Sequence, residues 1–389
     1  MTDAVRLMTG PQSAALLQSA LTGEPGGTVP GFRCVVDRVH DRVGAETSVT
    51  YHVSYGEGSS LVMDYLVATP ADVEGAATVE VEGLTVRVWR HPGDPRLAGL
   101  EGACTPAVLA EWLPEPQTGA DSTELLVYRP LRRAVLRTRR GTGTWFTKVV
   151  RPERGKILER KHRMLAGLGP DVAAAPAPGV LITGHVPGVS LAVALSAWQL
   201  GESEVEPDPA DALALLDRLP AEVVDLPARA SWTDRVDFHA GTAAATLPEH
   251  AAEIRALGAR IAELAGTFPV GPLVPTHGDF HEGNIFCEGG RPTRMIDIDT
   301  VGPGRREDDL ACMVAHLAVL SALSPGHYPR GAVVADRWAR AFEETVEHPG
   351  AFRIRVAGVL LSLVAGTDPQ IALPRLDLAR AWTLRATSP

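Results

Sequence analysis

The chain has 389 residues, 45% of them hydrophobic and 22% charged, and a net charge of −10. That length allows two or three domains, and that balance excludes a long disordered chain. There is no run of 18 apolar residues, the best stretch being Val356–Gly366, so no membrane-spanning helix is expected. The start, Met1-Thr2-Asp3-Ala4, has no basic stretch ahead of an apolar one, so no secretory signal is expected either. Cys34, Cys104, Cys287 and Cys312 form no CxxC pair, which points to a reducing compartment and away from a zinc site or a disulfide framework. A soluble cytoplasmic protein is the expectation.

In chain order, Pro11–Leu21 is rich in Ala and Leu behind a proline and predicts a helix. Thr47–Tyr55 alternates as a half-buried strand does. Ser60–Ala68 and Ala77–Arg90 continue the β pattern, the latter as a hairpin turning at Glu82-Gly83. Pro114–Asp121 is turn-rich and marks a boundary. Strands follow at Leu125–Arg129, Ala134–Arg139 and Thr144–Val150, with Gly141-Thr142-Gly143 turning between the last two. Pro152–Leu168 has helical spacing behind Glu153, and Val180–Thr183 is a short apolar strand. From Pro187 onward the pattern is mostly helical, over 191–200, 208–224, 249–264, 310–323, 334–346 and 352–364. One hairpin, Asn284–Cys287 and Thr293–Ile298, interrupts it.

Charge and composition point to chemistry. Residues 1–120 carry a net −8, residues 121–170 a net +9 and residues 171–389 a net −11. A duplex would be repelled along most of such a surface, so nucleic acid is disfavoured, while a compact polyphosphate such as ATP fits the basic segment. Lysine occurs only at 148, 156 and 161, and asparagine only at 284, as in the product of a GC-rich genome. A residue kept against that bias is a candidate for chemistry its substitute cannot do.

The sole asparagine lies in His277-Gly278-Asp279-Phe280-His281-Glu282-Gly283-Asn284, followed by Ile296-Asp297-Ile298-Asp299. Phosphoryl transfer needs a carboxylate to orient and deprotonate the acceptor, and hard oxygen ligands for Mg²⁺. Asp279 and Asn284 have the D-x-x-x-x-N spacing, and the hairpin would bring Asp297 back beside Asn284. A lone His-Gly-Asp is usually a turn and a lone Ile-Asp-Ile a strand end, but here they occur together.

These residues, with Asp309-Leu310-Ala311, resemble the aminoglycoside phosphotransferase and choline kinase-like group of small-molecule kinases, over about 125–389 and most strongly over 274–312. The resemblance implies that Asp279 is the catalytic aspartate, that Asn284 and Asp297 hold Mg²⁺, and that His277 and Asp309 brace the loop. Asp299 is either a third acidic ligand or a salt-bridged bystander. Lys148 resembles the lysine that reaches the α- and β-phosphates of ATP. Its partner would be Glu159, or the slot would fall to His162. There is no GxGxxG; the phosphate-covering turn would be Pro130–Ala134, where Arg132 or Arg133 either touches phosphate or is solvated. Leu181–Gly188 resembles the hinge that meets adenine.

The resulting expectation is an α+β, bilobal protein-kinase-like fold, with a β-rich small lobe and a helical large lobe. Residues 1–120 form an added N-terminal α/β cap, 121–186 the small lobe, and 187–389 the helical lobe with the catalytic loop. ATP with Mg²⁺ would lie between the lobes, and a hydroxyl of a small molecule would be phosphorylated. The cap is similar to that of maltokinases and amino-sugar kinases, which favours a sugar or amino-sugar acceptor over an aminoglycoside. Acidic groups of the last lobe, among them Glu282, Glu307 and Asp308, would attract a cationic acceptor. A rival of another class is a pseudokinase-like binding protein, which would have no need of a metal cage.

Overall fold

Residues 3–41, 46–114, 122–269 and 271–387 are described by the structure, a computed structural model. The chain divides into one unit of Met1–Arg160 with Val172–His185, and a second of Lys161–Asp171 with Val186–Pro389. Most of the boundary expected at 114–121 lies outside the described residues, which omit 115–121.

The first unit opens with α1 (Asp3–Thr9) and α2 (Ser13–Thr22), which cover an antiparallel sheet. Its strands β1 (Arg33–His40), β2 (Ser48–Tyr55), β3 (Val62–Thr69), β4 (Ala77–Val81) and β5 (Leu84–Arg90) run in the order β1-β2-β3-β5-β4. In β2 Val49, Tyr51 and Val53 point in, against Met8, Leu16 and Leu17, and Tyr51 donates to the Met8 carbonyl at 2.6 Å. Ser48 and Thr50 on the other face are buried too, so the strand is not half-buried along its whole length as its alternation predicts. The predicted turn is present, with Glu82 and Gly83 both at positive φ (51° and 77°), the pairing a tight hairpin of this hand requires. Helix α1 was not anticipated, because seven residues are too few to display a helical period.

Two short helices, α3 (Leu100–Cys104) and α4 (Pro106–Trp112), lead to a second sheet. It comprises β6 (Ser122–Arg129), β7 (Arg133–Arg140), β8 (Gly143–Val150), then, beyond α5 (Pro152–Met164), β9 (Val172–Ala174) and β10 (Val180–Gly184), in the order β6-β7-β8-β10-β9. Leu97, Leu100, Ala103 and Leu109 pack on one face through Ala134, Leu136, Val149 and Ile182. Gly99 permits that approach, since a Cβ there would fall 2.1 Å from Val180 Cγ2. On the other face Val150 and Leu181 meet Leu158 of α5. Residues 97–113 therefore supply the hydrophobic cover of one whole sheet face, which a four- or five-stranded sheet needs to be stable.

The second unit holds β11 (Val189–Ser190), α6 (Leu191–Gln199), α7 (Pro209–Asp217), α8 (Val236–Thr246) and α9 (Ala251–Ala265). Strands β12 (Val274–Thr276), β13 (Ile285–Glu288), β14 (Arg291–Met295) and β15 (Gly302–Gly304) follow, then α10 (Arg306–Leu323), α11 (Gly331–Glu343), α12 (Pro349–Val364) and α13 (Pro369–Arg385). The helix expected over 208–224 is cut short: α7 ends at Asp217, and Pro220 admits only a 3₁₀ turn beyond it. Helices α8 and α13 escaped the sequence reading, the first for its run of small residues and the second for Pro374 inside it. The apolar run of α12 is a core helix packed by α8, α10 and α13. Among the described residues no helix is long and apolar enough to cross a membrane.

Candidate active site

The segment 276–304 is closed at its base by a two-stranded ladder. Thr276 of β12 pairs with Gly302 of β15, and its Oγ1 donates to the Gly302 carbonyl at 2.8 Å. Between these ends His277 turns inward, fully buried. Its Nε2 donates to the Ile296 carbonyl at 3.0 Å, and its carbonyl accepts from Thr300 Oγ1 at 2.8 Å. Gly278 is required here: φ is 79°, and a Cβ would meet the Thr300 carbonyl oxygen at 2.7 Å. Asp309, in the first turn of α10, accepts from the backbone N–H of His277 (2.7 Å) and of Gly278 (2.8 Å). Burial pushes its carboxyl up to about 7, against two N–H bonds that favour the ionised form. His277 is held neutral, lowered to about 4 by burial. Both residues thus brace the loop from within the second unit.

Asp279 follows, and burial raises its carboxyl above the ordinary range; Asp297 adds to this, while His281 and Arg229 oppose it. Asn284, 8% exposed, donates from Nδ2 to the Asp279 carbonyl at 3.0 Å. That bond fixes the amide and leaves Oδ1 as its metal-competent atom. The backbone of Asn284 accepts from Ile296 N–H at 2.8 Å, and β13 pairs Ile285 with Met295. Register therefore brings Asn284 opposite Ile296, one residue from Asp297. Asp297 has φ 52° and ψ 45°, a left-handed conformation that aspartate tolerates better than most non-glycine residues. An amide oxygen and carboxylates on one short hairpin are a donor set that fits Mg²⁺.

Of the acidic residues expected to draw a cationic acceptor, Asp308 is engaged by Arg355 Nε at 2.9 Å. Glu282 is buried between His281 and His316, and burial raises its pKa.

In the first unit Lys148 sits on β8, the middle strand, opposite Val135 of β7 and Leu181 of β10. It is half-buried and shares the α5 face with Val150, which an edge-strand lysine would not do. Glu159 is half-buried on α5 beside Leu158. His162 belongs to the other unit, where its Nδ1 bonds the Pro170 carbonyl at 3.1 Å. In the β6–β7 turn Arg132 is exposed, while Arg133 begins β7 opposite Arg129.

The turn itself is held firmly. Asp94, 5% exposed, accepts from Leu131 N–H (2.8 Å), Tyr128 Oη (2.8 Å) and Arg96 N–H (2.9 Å). Arg151 Nε donates to the Leu131 carbonyl at 2.6 Å. Leu131 takes φ 62°, yet is fully buried with Val67, Val73 and Trp89. Burying a leucine contributes about 1.5–3 kcal/mol, enough to offset the strain of that conformation.

Residues 44–351, well over half of the chain, match the family described as the Phosphotransferase enzyme family. The chain belongs to that family. It is a phosphotransferase of the small-molecule type that the catalytic segment resembles, and the match reaches further toward the N-terminus than that resemblance, into β2–β5. No curated protein matches it. Among solved structures it is similar to a glucosamine kinase at 16% identity, covering 98% of this chain and 100% of the other, with a TM-score of 0.47. A choline/ethanolamine kinase family protein from Mesorhizobium loti is 18% identical over 74% of this chain and 97% of the other, TM-score 0.46. Choline kinase from Cryptosporidium parvum Iowa II is 12% identical over 72% and 92%, TM-score 0.44. Likenesses this remote assign neither an acceptor nor a residue's role.

One residue of the phosphotransferase was missed although its signal was present. Lys161, another of the three lysines, is 7% exposed and donates from Nζ to the Asp299 carbonyl at 2.6 Å. It holds the backbone two residues beyond Asp297. Lysine rarity marked it as plainly as Lys148, but no motif around it assigned it a role.

Proposed function

We propose that the phosphotransferase uses ATP with Mg²⁺ to phosphorylate a hydroxyl of a sugar or amino sugar. In this reading Asp279 orients the acceptor hydroxyl and takes its proton, Asn284 Oδ1 and Asp297 hold Mg²⁺, and Lys148 steadies the nucleotide phosphates. Bound Mg²⁺ supplies neutralisation of phosphate charge. Burial serves the base: a carboxylate with a raised pKa is a stronger proton acceptor once ionised, and in a dry site it interacts more strongly with the hydroxyl it orients. His277 and Asp309 hold no substrate; they keep Asp279 and Asn284 at their spacing, because three of the loop's backbone groups end on their side chains.

The observation that supports this best is the register of β13 with β14, which brings Asn284, five residues after a half-buried Asp279, opposite Ile296 and so within one residue of Asp297. A binding module has no use for that set. The test is ADP release with Mg²⁺ and ATP across a panel of neutral sugars, amino sugars and aminoglycosides. Turnover with a sugar or amino sugar is expected. Turnover confined to aminoglycosides would replace the acceptor class, and none with any acceptor would favour a binding protein.

A further inference from the structure

A second group of donors lies beside the catalytic loop, and phosphoryl transfer as read above leaves it unused. His281 and Glu282 come from the loop, and His316 from the third turn of α10. Glu282 Oε2 is 3.8 Å from His281 Nδ1 and 3.9 Å from His316 Nδ1. The two rings stack with 4.3 Å between centroids and 11° between planes. One donor atom from each of the three residues lies within 4.8 Å of the others. Glu282 is 8% exposed, and its Oε2 has no hydrogen-bond partner among the described residues. A buried carboxylate oxygen without a donor is costly, and imidazole nitrogens are common metal ligands. His281 Nδ1 accepts the Gly283 N–H at 3.1 Å, which marks that nitrogen as unprotonated, the form a metal takes.

We propose that His281, Glu282 and His316 form a transition-metal site, with zinc the best-matched ion, separate from Asn284 and Asp297. Imidazole suits zinc and not magnesium, which takes oxygen donors. Three protein ligands with a fourth position open are the pattern of an open site, not of a closed structural one. Bonds of about 2.0–2.2 Å in a tetrahedron set donors roughly 3.4 Å apart. Each nitrogen must therefore close on the carboxylate by about half an ångström and the widest donor pair, within 4.8 Å, by up to roughly 1.4 Å, and one stacked ring must turn about its Cβ–Cγ bond, with the ion replacing Gly283 N–H at Nδ1. The lack of CxxC spacing speaks only against a thiolate site. Zinc here would tie the catalytic loop to α10 within three residues of Asp279.

Calorimetric titration of the chelator-treated full chain with Zn²⁺, in excess Mg²⁺, tests this without any acceptor. One Zn²⁺ per chain is expected, with affinity lowered at least about tenfold by Glu282→Gln and by His316→Ala. Asp297→Ala should leave zinc binding unchanged. Co²⁺ should give a visible absorption band that both site variants lose. Should His316→Ala fail to fold, the near-isosteric Glu282→Gln carries the test. No zinc binding, equal affinity in wild type and Glu282→Gln, or loss in Asp297→Ala alone would each overturn the site.

Discussion

Two segments of this phosphotransferase were expected to handle phosphate, and they are organised in opposite ways. The catalytic segment 276–304 is built almost wholly from itself: its own ladder, a glycine at positive φ, a hairpin whose register pairs Ile285 with Met295, and the nearby Asp309. The β6–β7 turn at 130–133 is held from far away in sequence. Its Leu131 is pinned by Asp94, 37 positions upstream, and packed under Val67 and Trp89 of the first sheet and Val73 of the β3–β4 connection. A local device is legible from spacing, because the bonded groups are few residues apart. A remote one is not, because nothing in Pro130-Leu131-Arg132-Arg133 announces a partner in another sheet. The turn that would cover phosphate is therefore a rigid extension of the N-terminal region.

The largest effect should come from the local device. Asp279→Ala is expected to lower kcat by about 10²–10⁴-fold while Mg·ATP still binds, and Asp297→Ala to lose metal-dependent nucleotide binding as well. Calorimetry of the two variants separates the roles; equal binding of Mg·ATP by both would remove Asp297 from the metal. Next is Asp309→Ala, which strands the buried N–H of His277 and the part-buried N–H of Gly278. At roughly 1–3 kcal/mol for each orphaned group it should cost about 3 kcal/mol in denaturant unfolding. Asp309→Asn, which keeps one acceptor oxygen, should cost less.

Breaking the remote device should do less to the fold and more to the nucleotide side. Asp94→Ala is expected to lose about 2 kcal/mol from orphaning Leu131 N–H and to speed hydrogen exchange there. If the turn meets ATP, KM for ATP should rise several-fold with the acceptor KM unchanged; an unchanged ATP KM would show that the turn's rigidity serves only the fold.

The smallest effect is a pH response in the helical unit. His239 on α8 is 6% exposed, packs against Trp232, and is lowered by burial from 6.5 to about 4. Its folded state binds fewer protons than its unfolded state between those values, so its contribution is present above about 6.5 and lost as pH falls toward 4. His239→Phe should flatten unfolding stability across that window relative to wild type. An unchanged slope would mean that the imidazole titrates alike in both states.

How much was readable follows from the range over which each feature is determined. Most strands of both sheets, though neither β1 nor β9, the Glu82-Gly83 turn, the β13–β14 hairpin and most long helices follow from two- and four-residue periodicities and turn residues. The order of bonded groups around Asp279, Asn284 and Asp297 was equally legible, since one hairpin dictates it. By contrast, α3 and α4 covering the second sheet, Lys161 reaching the Asp299 carbonyl, Asp94 gripping Leu131, and His316 arriving beside His281 and Glu282 were decided only by tertiary structure. Each joins residues separated by dozens to more than a hundred positions, or hides a polar side chain on a helix that reads as uniformly apolar. Short-range hydrogen bonding leaves a periodic trace in the amino-acid order; long-range packing leaves none, because many residue pairs could satisfy the same contact and only the folded chain selects one.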